Sequence, residues 1–174
     1  MSYDSINKME AFDSDGLANV IIDTPKGSRN KYVFNKETGL FKLGGTLTAG
    51  HSFPYDFGFI SGTNAEDNDH VDVLVMMDEP PFVGCWLKCR IIGGYKATQT
   101  ERDGKSNRND RLLGVEEKSR TYSNIHTLED MDENLVDDIE HFFVSYNEAK
   151  GKRFEVTERF EAEAAIEAIK EAQT

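Results

Sequence analysis

The feature that most constrains the fold of this chain is a succession of short apolar or alternating runs between Ala18 and Glu117, each cut off by turn residues. "NVIID" is followed by "PKGSRN", "KYVF" by "NKETG" and "LFKL" by "GG"; "FGFISGT", "VDVLVMM", "WLKCRIIGGYKATQT" and "RLLGVEE" continue the series. Such runs, rich in branched and aromatic residues and bounded by Gly, Pro and Asn, read as strands joined by tight turns. The middle of the chain is therefore expected to be antiparallel β structure in a closed or strongly curved sheet. Asp103-Gly104 reads as a two-residue hairpin tip.

Past residue 126 the period changes. Met131, Leu135, Ile139, Phe142, Phe143 and Tyr146 recur at spacings of three and four, one apolar stripe on a helix, and Gly151 is placed to end it. "EAEAAIEAIKEA" is rich in strong helix formers and predicts a terminal helix packed through Ile166 and Ile169. The expected fold class is α+β, a small barrel with helices laid against it. At 174 residues a single domain over 1–174 suffices, with the polar residues 1–18 as a loose extension.

A formal charge of -12 repels phosphate backbones and anionic lipid, which argues against nucleic-acid binding. No run approaches the ~20 apolar residues that a membrane span needs, and no basic-then-apolar leader opens the sequence. The expected location is the cytoplasm. On one strand Cys85 and Cys89 would stand about 13 Å apart, too far for a disulfide. No second Cys or His pair at ligand spacing suggests zinc, so two reduced thiols are expected.

The stretch "EDNDHVDVLV" carries Asp67, Asp69 and Asp72 into an apolar run. On a straight strand Asp67 and Asp69 face one way and Asp72 the other; a bend between Asn68 and Val71 would bring the three together. Three convergent carboxylates are tolerable around a hard divalent cation. A solvated acidic loop is the competing reading. An EF-hand does not fit, because Asp72 stands where that loop needs glycine.

These residues resemble the soluble family I inorganic pyrophosphatases, which carry Asp-x-Asp-Pro-x-Asp before an apolar strand; His70 here replaces the proline. "IIDTPKGSRNKYVFNKETGLFKL", "FPYDFGFISGT", "CRIIGG" and "HFFVSYNEAKGKRFEV" extend the resemblance, in order, over roughly residues 19–158. It implies an OB-like five-stranded antiparallel β-barrel with flanking α-helices, in a cytoplasmic homo-oligomer, a hexamer in the bacterial pattern. It also implies hydrolysis of diphosphate to two phosphates with Mg, or with Mn or another divalent ion. By the family's pattern Asp67, Asp72 and Asp23 are metal ligands, with Asp23 replacing a glutamate, and Asp69 is the general base. Lys31, Arg111 (in place of a lysine) and Tyr146 would bind phosphate.

The departures from the pattern cluster. Val33 stands for a glutamate, Gly45 for a phosphate-binding arginine, Asn147 for a lysine, and Phe53 and Phe57 for tyrosines. In "KATQTERDGKSNRNDRLLGV" Gln99 and Asn109 fall where the resemblance implies two metal-binding aspartates. A two-residue tip at Asp103-Gly104 would pair Arg102 with Lys105 and place Gln99 opposite Arg108, leaving Gln99 and Asn109 as near neighbours. Glu101, Asp103 or Asp110 could replace a lost carboxylate, and Arg102, Lys105, Arg108 and Arg111 could hold the anion in place of metal charge; a solvated hairpin of mixed charge is the alternative. His51 and His70 are expected as loop histidines rather than ligands, and His126 and His141 as structural or interfacial. A second function stays open beside the enzyme, a non-catalytic relative that binds phosphate or diphosphate or acts as an assembly partner.

Overall fold

The computed structural model describes residues 5–174. A short helix α1 (Ser5–Lys8) precedes the strands β1 (Ala18–Thr24), β2 (Asn30–Asn35), β3 (Leu40–Thr46), β4 (Asp56–Ile60), β5 (Val71–Met76), β6 (Trp86–Thr100), β7 (Ser106–Arg108) and β8 (Arg111–Glu116). Helix α2 (Glu133–Glu148), strand β9 (Arg153–Glu161) and helix α3 (Ala162–Glu171) complete the chain. Strands β1, β4, β5, β8 and β6 pair in that order, and β6 returns to β1, so the ring closes as the expected five-stranded barrel. One seam departs from the antiparallel expectation: β5 and β8 run parallel, because a long β6–β7 hairpin separates them in sequence. β2 and β3 form a separate hairpin, and β9 lies along β6.

Each barrel strand buries both faces. On β5, Val71, Val73 and Val75 join one cluster with Val20, Ile22, Leu112 and Ile169, while Leu74 and Met76 join another under α2. Asp72 shares the α2-side face with Leu74 and Met76 by strand periodicity. Helix α2 starts at its N-cap Asp132, whose side chain accepts from Asn134 N, and buries Val136, Ile139, Phe142, Phe143 and Tyr146. Leu135, expected in that stripe, points outward at 42% exposure, and Val136 fills the place. Tyr95 ties the helix to the barrel by donating from its hydroxyl to the Val136 carbonyl (2.7 Å). Gly151, at φ +74°, turns the chain after the helix as expected.

Three further expectations are revised. Strand β9 was not foreseen, although Phe154 and Phe160 are buried on it and Glu155, Glu158 and Glu161 are exposed. The extension expected to be loose over 1–18 is packed from Ala11 onward: Ala11 is buried, Phe12 bridges to Ala18, and Asn19 Nδ2 donates to the Glu10 carbonyl. Residues 1–4 lie outside the described residues. The hairpin tip contains three residues rather than two. Gly104 N donates to Glu101 O (3.0 Å) and Glu101 N to Lys105 O (2.8 Å), with Gly104 at φ +88°, a type I turn closed by a left-handed glycine. The extra residue shifts the register by one, so Gln99 opposes Asn107, not Arg108.

Candidate active site

The bend expected among the aspartates is present. Asn68 takes φ +62°, the left-handed region that Asn tolerates, while its N–H donates to Ala65 O and Ala65 N donates to Asp69 O. Asp69 N donates to Asp67 Oδ1 (3.1 Å), and His70 stacks on Phe59 with ring centroids 4.6 Å apart, pinning the loop to the barrel. His70 Nδ1 donates to Thr63 O (2.9 Å), the ordinary hydrogen bond expected of a loop histidine. At β1 the register slips between Ile22 and Thr24, leaving Asp23 as the extra residue of a bulge, a device that re-aims a side chain. Asp72 and Arg111 are direct partners on the parallel β5–β8 ladder. These placements converge on one cavity of about 320 Å³ lined by Asp23, Lys31, Asp67, Asp69, Asp72, Gln99, Glu101, Asn109, Arg111, Tyr146, Lys150 and Lys152.

Charge is paired unevenly around the cavity. Lys31 Nζ donates to buried Asp23 Oδ1 (2.7 Å) and lies 4.3 Å above the Phe57 ring. Burial pushes the Asp23 carboxyl above the usual range, opposed by Lys31 and by the Thr24 hydroxyl. Arg111 Nη1 donates to Asp72 Oδ2 (2.6 Å). Burial pushes Asp72 up to about 7 against the pull of Arg111 and Lys31. Burial also raises Asp67, and the charge of Asp69 raises Asp67, Asp72 and Asp23 alike, so the four carboxylates share one field. Asp69 is the open member of the set, with its side chain 73% exposed and Lys36 Nζ 4.0 Å away.

The opposite wall is cationic. Lys150 Nζ donates to Tyr146 Oη and sits 3.9 Å from the centre of that ring. Burial, together with Lys152, Lys31 and Arg111, pulls the Lys150 ammonium down to about 8. Burial pushes the Tyr146 hydroxyl up to about 12, so it remains a donor at neutral pH. Lys150 and Lys152 were not anticipated from the sequence. The available signal was Lys150 one helical turn beyond Tyr146, a spacing that puts the two side chains side by side.

Gln99 and Asn109 are neighbours, as expected, although the register differs. Asn109 Nδ2 donates to Gln99 Oε1 (2.8 Å), Gln99 Nε2 to Glu101 Oε1 (2.8 Å), and Lys152 Nζ to Glu101 Oε2 (3.0 Å). Arg111 Nη1 also donates to Asn109 Oδ1 (2.6 Å), so one polar chain runs from Asp72 through the arginine and both amides to Lys152. Arg108 and Asp110 do not reach this cavity. They pair with each other (2.8 Å), Asp110 Oδ1 accepts from Ala97 N, and both line a separate hollow beside α3. Asp103 caps the hairpin tip by accepting from Lys105 N, and Arg102 donates to the Lys150 carbonyl, so only Arg111 of the hairpin cations enters the site.

A family model described as inorganic pyrophosphatase matches residues 20–174. The inorganic pyrophosphatase of Streptomyces coelicolor is 39% identical over 152 residues, 85% of this chain and 90% of that protein. That of Bacillus sp. PS3 is 35% identical over 156 residues, 89% and 91% of the two chains. The chain belongs to the soluble family I inorganic pyrophosphatases. Among solved structures, the inorganic pyrophosphatase of Neisseria gonorrhoeae shares the fold at a TM-score of 0.85 and 31% identity, over 98% of this chain and 96% of that one. The Thermus thermophilus enzyme gives 0.84 at 28% identity, over 96% and 95%.

Set within the pyrophosphatase family, the substituted positions have physical consequences. Asn147 is buried and donates to Phe143 O (2.8 Å), closing the helix on itself instead of reaching outward. Val33 and Gly45 line a hollow adjoining the cavity, beside Lys31, His51, Tyr146 and Lys150. Among the described residues no three His, Cys, Asp or Glu side chains are drawn together tightly enough to grip an ion. The donor chemistry nevertheless differs between the two ends of the cavity. Asp67 and Asp69 share one field whose nearest ammonium, Lys36, stands 4.0 Å from Asp69, a hard-oxygen set that fits a divalent ion, whereas Gln99 and Asn109 spend their amide groups on each other, Glu101 and Arg111.

Proposed function

We propose that this chain hydrolyses diphosphate to two phosphates with a divalent ion, magnesium for preference and manganese as a second choice. The supporting observation is that Asp67, Asp69 and Asp72 line one cavity together with Lys31, Arg111, Lys150 and Lys152. A compact polyanion needs such a cationic wall, and an acidic chain has to supply it locally. When bound, the divalent ion offsets phosphate charge and lowers the pKa of a coordinated water toward neutrality. Asp67 and Asp72, with Asp23 at the cavity edge, are the residues assigned to hold it. Asp69, open at the mouth, takes the proton of the attacking water. Lys31 orients the anion from β2, Arg111 from β8, Tyr146 from α2 and Lys150 from the turn that follows it, each offering hydrogen bonds that strengthen as charge builds on the departing phosphate.

Family relatives named inorganic pyrophosphatases at 35–39% identity favour the enzyme over a non-catalytic binder. We assign the chain to the cytoplasm, which the free thiols Cys85 and Cys89 suit. Among the described residues no helix is long and apolar enough to cross a membrane. Assembly into a homo-oligomer, a hexamer in the bacterial pattern, is supported by the exposed Phe82, Trp86 and Leu135, and light scattering of the purified chain checks it. The function is tested by phosphate release from diphosphate with magnesium for the wild type and Asp69→Asn. Removal of the general base is expected to cost about 10²–10⁴ in kcat. A variant as fast as the wild type would remove Asp69 from the mechanism.

A further inference from the structure

The polar chain through Gln99 and Asn109 settles what each group in it can still do. Asn109 Oδ1 accepts from Arg111 and its Nδ2 donates to Gln99; Gln99 Oε1 accepts from Asn109 and its Nε2 donates to Glu101. No amide oxygen in this chain is left without a donor, and the one carboxylate at its end, Glu101, is taken by Lys152 (3.0 Å). The guanidinium of Arg111 lies between Asp72 and Asn109, bonded to both through Nη1 at 2.6 Å. Its position is rigid for reasons beyond those bonds. Arg111 is buried at 6% exposure and walled by the Phe143, Phe154 and Phe57 rings at 5.3, 5.5 and 5.9 Å. Its Nε is buried without a partner, so the group is held by shape and by the Asp72 carboxylate rather than by complete hydrogen bonding. Arginine stays protonated at any working pH, so this end of the cavity carries a permanent positive charge.

We propose that Arg111 is a built-in cation that closes the Gln99–Asn109 end of the cavity to divalent ions and confines them to the edge formed by Asp67 and Asp72 beside Asp69. The inference rests on the cavity being the site where divalent ions and diphosphate meet, and it adds which walls of that site the ions can use. Two effects act together. A divalent ion approaching Asn109 meets the guanidinium charge, and the amide oxygens it would need already accept directed bonds from Arg111 and Asn109. The carboxylates of the Asp67–Asp69 loop make no guanidinium contact, and the ammonium nearest them is Lys36, 4.0 Å from Asp69. The phosphate therefore meets a fixed guanidinium at one end and a metal-bearing edge at the other.

The test is manganese binding to the metal-free full-length chain without diphosphate, followed by the electron paramagnetic resonance signal of free Mn²⁺. Asp67→Asn is expected to weaken binding by about tenfold or more, since it removes a full charge from the ligand set. Asn109→Ala is expected to change it by less than about twofold, because the amide makes no bond to the ion. Arg111→Met, which lifts the positive charge and frees Asp72, should tighten binding by about tenfold or add a site. Weakening by Asn109→Ala comparable to that of Asp67→Asn would overturn the proposal. Should Asn109→Ala fail to fold by circular dichroism, Arg111→Met alone decides, and unchanged or weaker Mn²⁺ binding refutes it. Absence of saturable Mn²⁺ binding to the wild type also refutes it. These readings stand apart from turnover: a chain that hydrolyses diphosphate but ligates Mn²⁺ through Asn109 keeps its function and loses the built-in cation.

Discussion

Lys150 carries a prediction whose size follows from its surroundings. Its ammonium is half-buried, bonded to Tyr146 Oη, and held down to about 8 by burial and by Lys152, Lys31 and Arg111. Lys150→Met keeps the aliphatic length against the Tyr146 ring and removes only the charge. A charge-assisted hydrogen bond is worth about 1.5–3 kcal/mol, so affinity for a non-hydrolysable diphosphate such as methylenediphosphonate should fall about 10- to 150-fold at pH 7. The pH dependence has a definite sign. A bound phosphate favours the ammonium, so the complex keeps its proton while the free protein loses it above about 8. One pH unit beyond that pKa the wild type must take up a proton to bind, which weakens it about tenfold between pH 7 and 9. The variant has no such proton, and the ligand's own ionisations are common to both, so the ratio of the two affinities should shrink about tenfold over that range. Isothermal titration calorimetry in buffers of differing ionisation heat measures both the ratio and the proton uptake. A ratio that stays constant from pH 7 to 9, or equal affinities at pH 7, would refute the placement of Lys150 in the phosphate wall.

Other outcomes follow from the same geometry. Lys31→Met strands the buried Asp23 carboxylate and should destabilise the fold by about 3–5 kcal/mol at neutral pH, read by urea denaturation. Burial already raises the Asp23 carboxyl in the folded state, and loss of its cation raises it further. The proton is then bound more tightly when folded, so stability lost as pH rises is regained on acidification, and the deficit should narrow toward pH 4. Gly58→Ala should destabilise by about 1–3 kcal/mol or more, because the added Cβ would stand 2.5 Å from the Ile21 carbonyl oxygen across the β1–β4 seam. A melting temperature within a degree of wild type would contradict that close approach.

Much of the barrel is legible because short strands announce themselves through their turns: the runs from "NVIID" to "RLLGVEE" coincide with β1, β2, β3, β4, β5, β6 and β8. β9 escaped because charged residues such as Glu155 and Glu158 separate its buried Phe154 and Phe160, and its pairing partner, β6, lies far away in sequence. The aspartate bend is legible because strand alternation would separate Asp72 from Asp67 and Asp69, and a bend between Asn68 and Val71 removes that separation. The register of the β6–β7 hairpin is not, since "DG" fits a two-residue turn as readily as the three-residue turn that forms. The amides at 99 and 109 are legible as residue types; where they turn is not. That depends on Arg111, whose place is fixed by the parallel β5–β8 register, and a non-local pairing leaves no local signal. Lys150 carries no local signal beyond its spacing from Tyr146, because its place beside the cavity depends on the turn that follows α2.

The central claim is that one cavity, with Asp69 at its mouth and cations on its far wall, splits diphosphate. The direct measurement is ³¹P nuclear magnetic resonance of diphosphate incubated with magnesium and a catalytic amount of the purified chain, beside Asp69→Asn. The diphosphate resonance is expected to be replaced by twice its molar amount of phosphate with the wild type and to persist with the variant. A diphosphate resonance unchanged by the wild type with magnesium, manganese or zinc would contradict it.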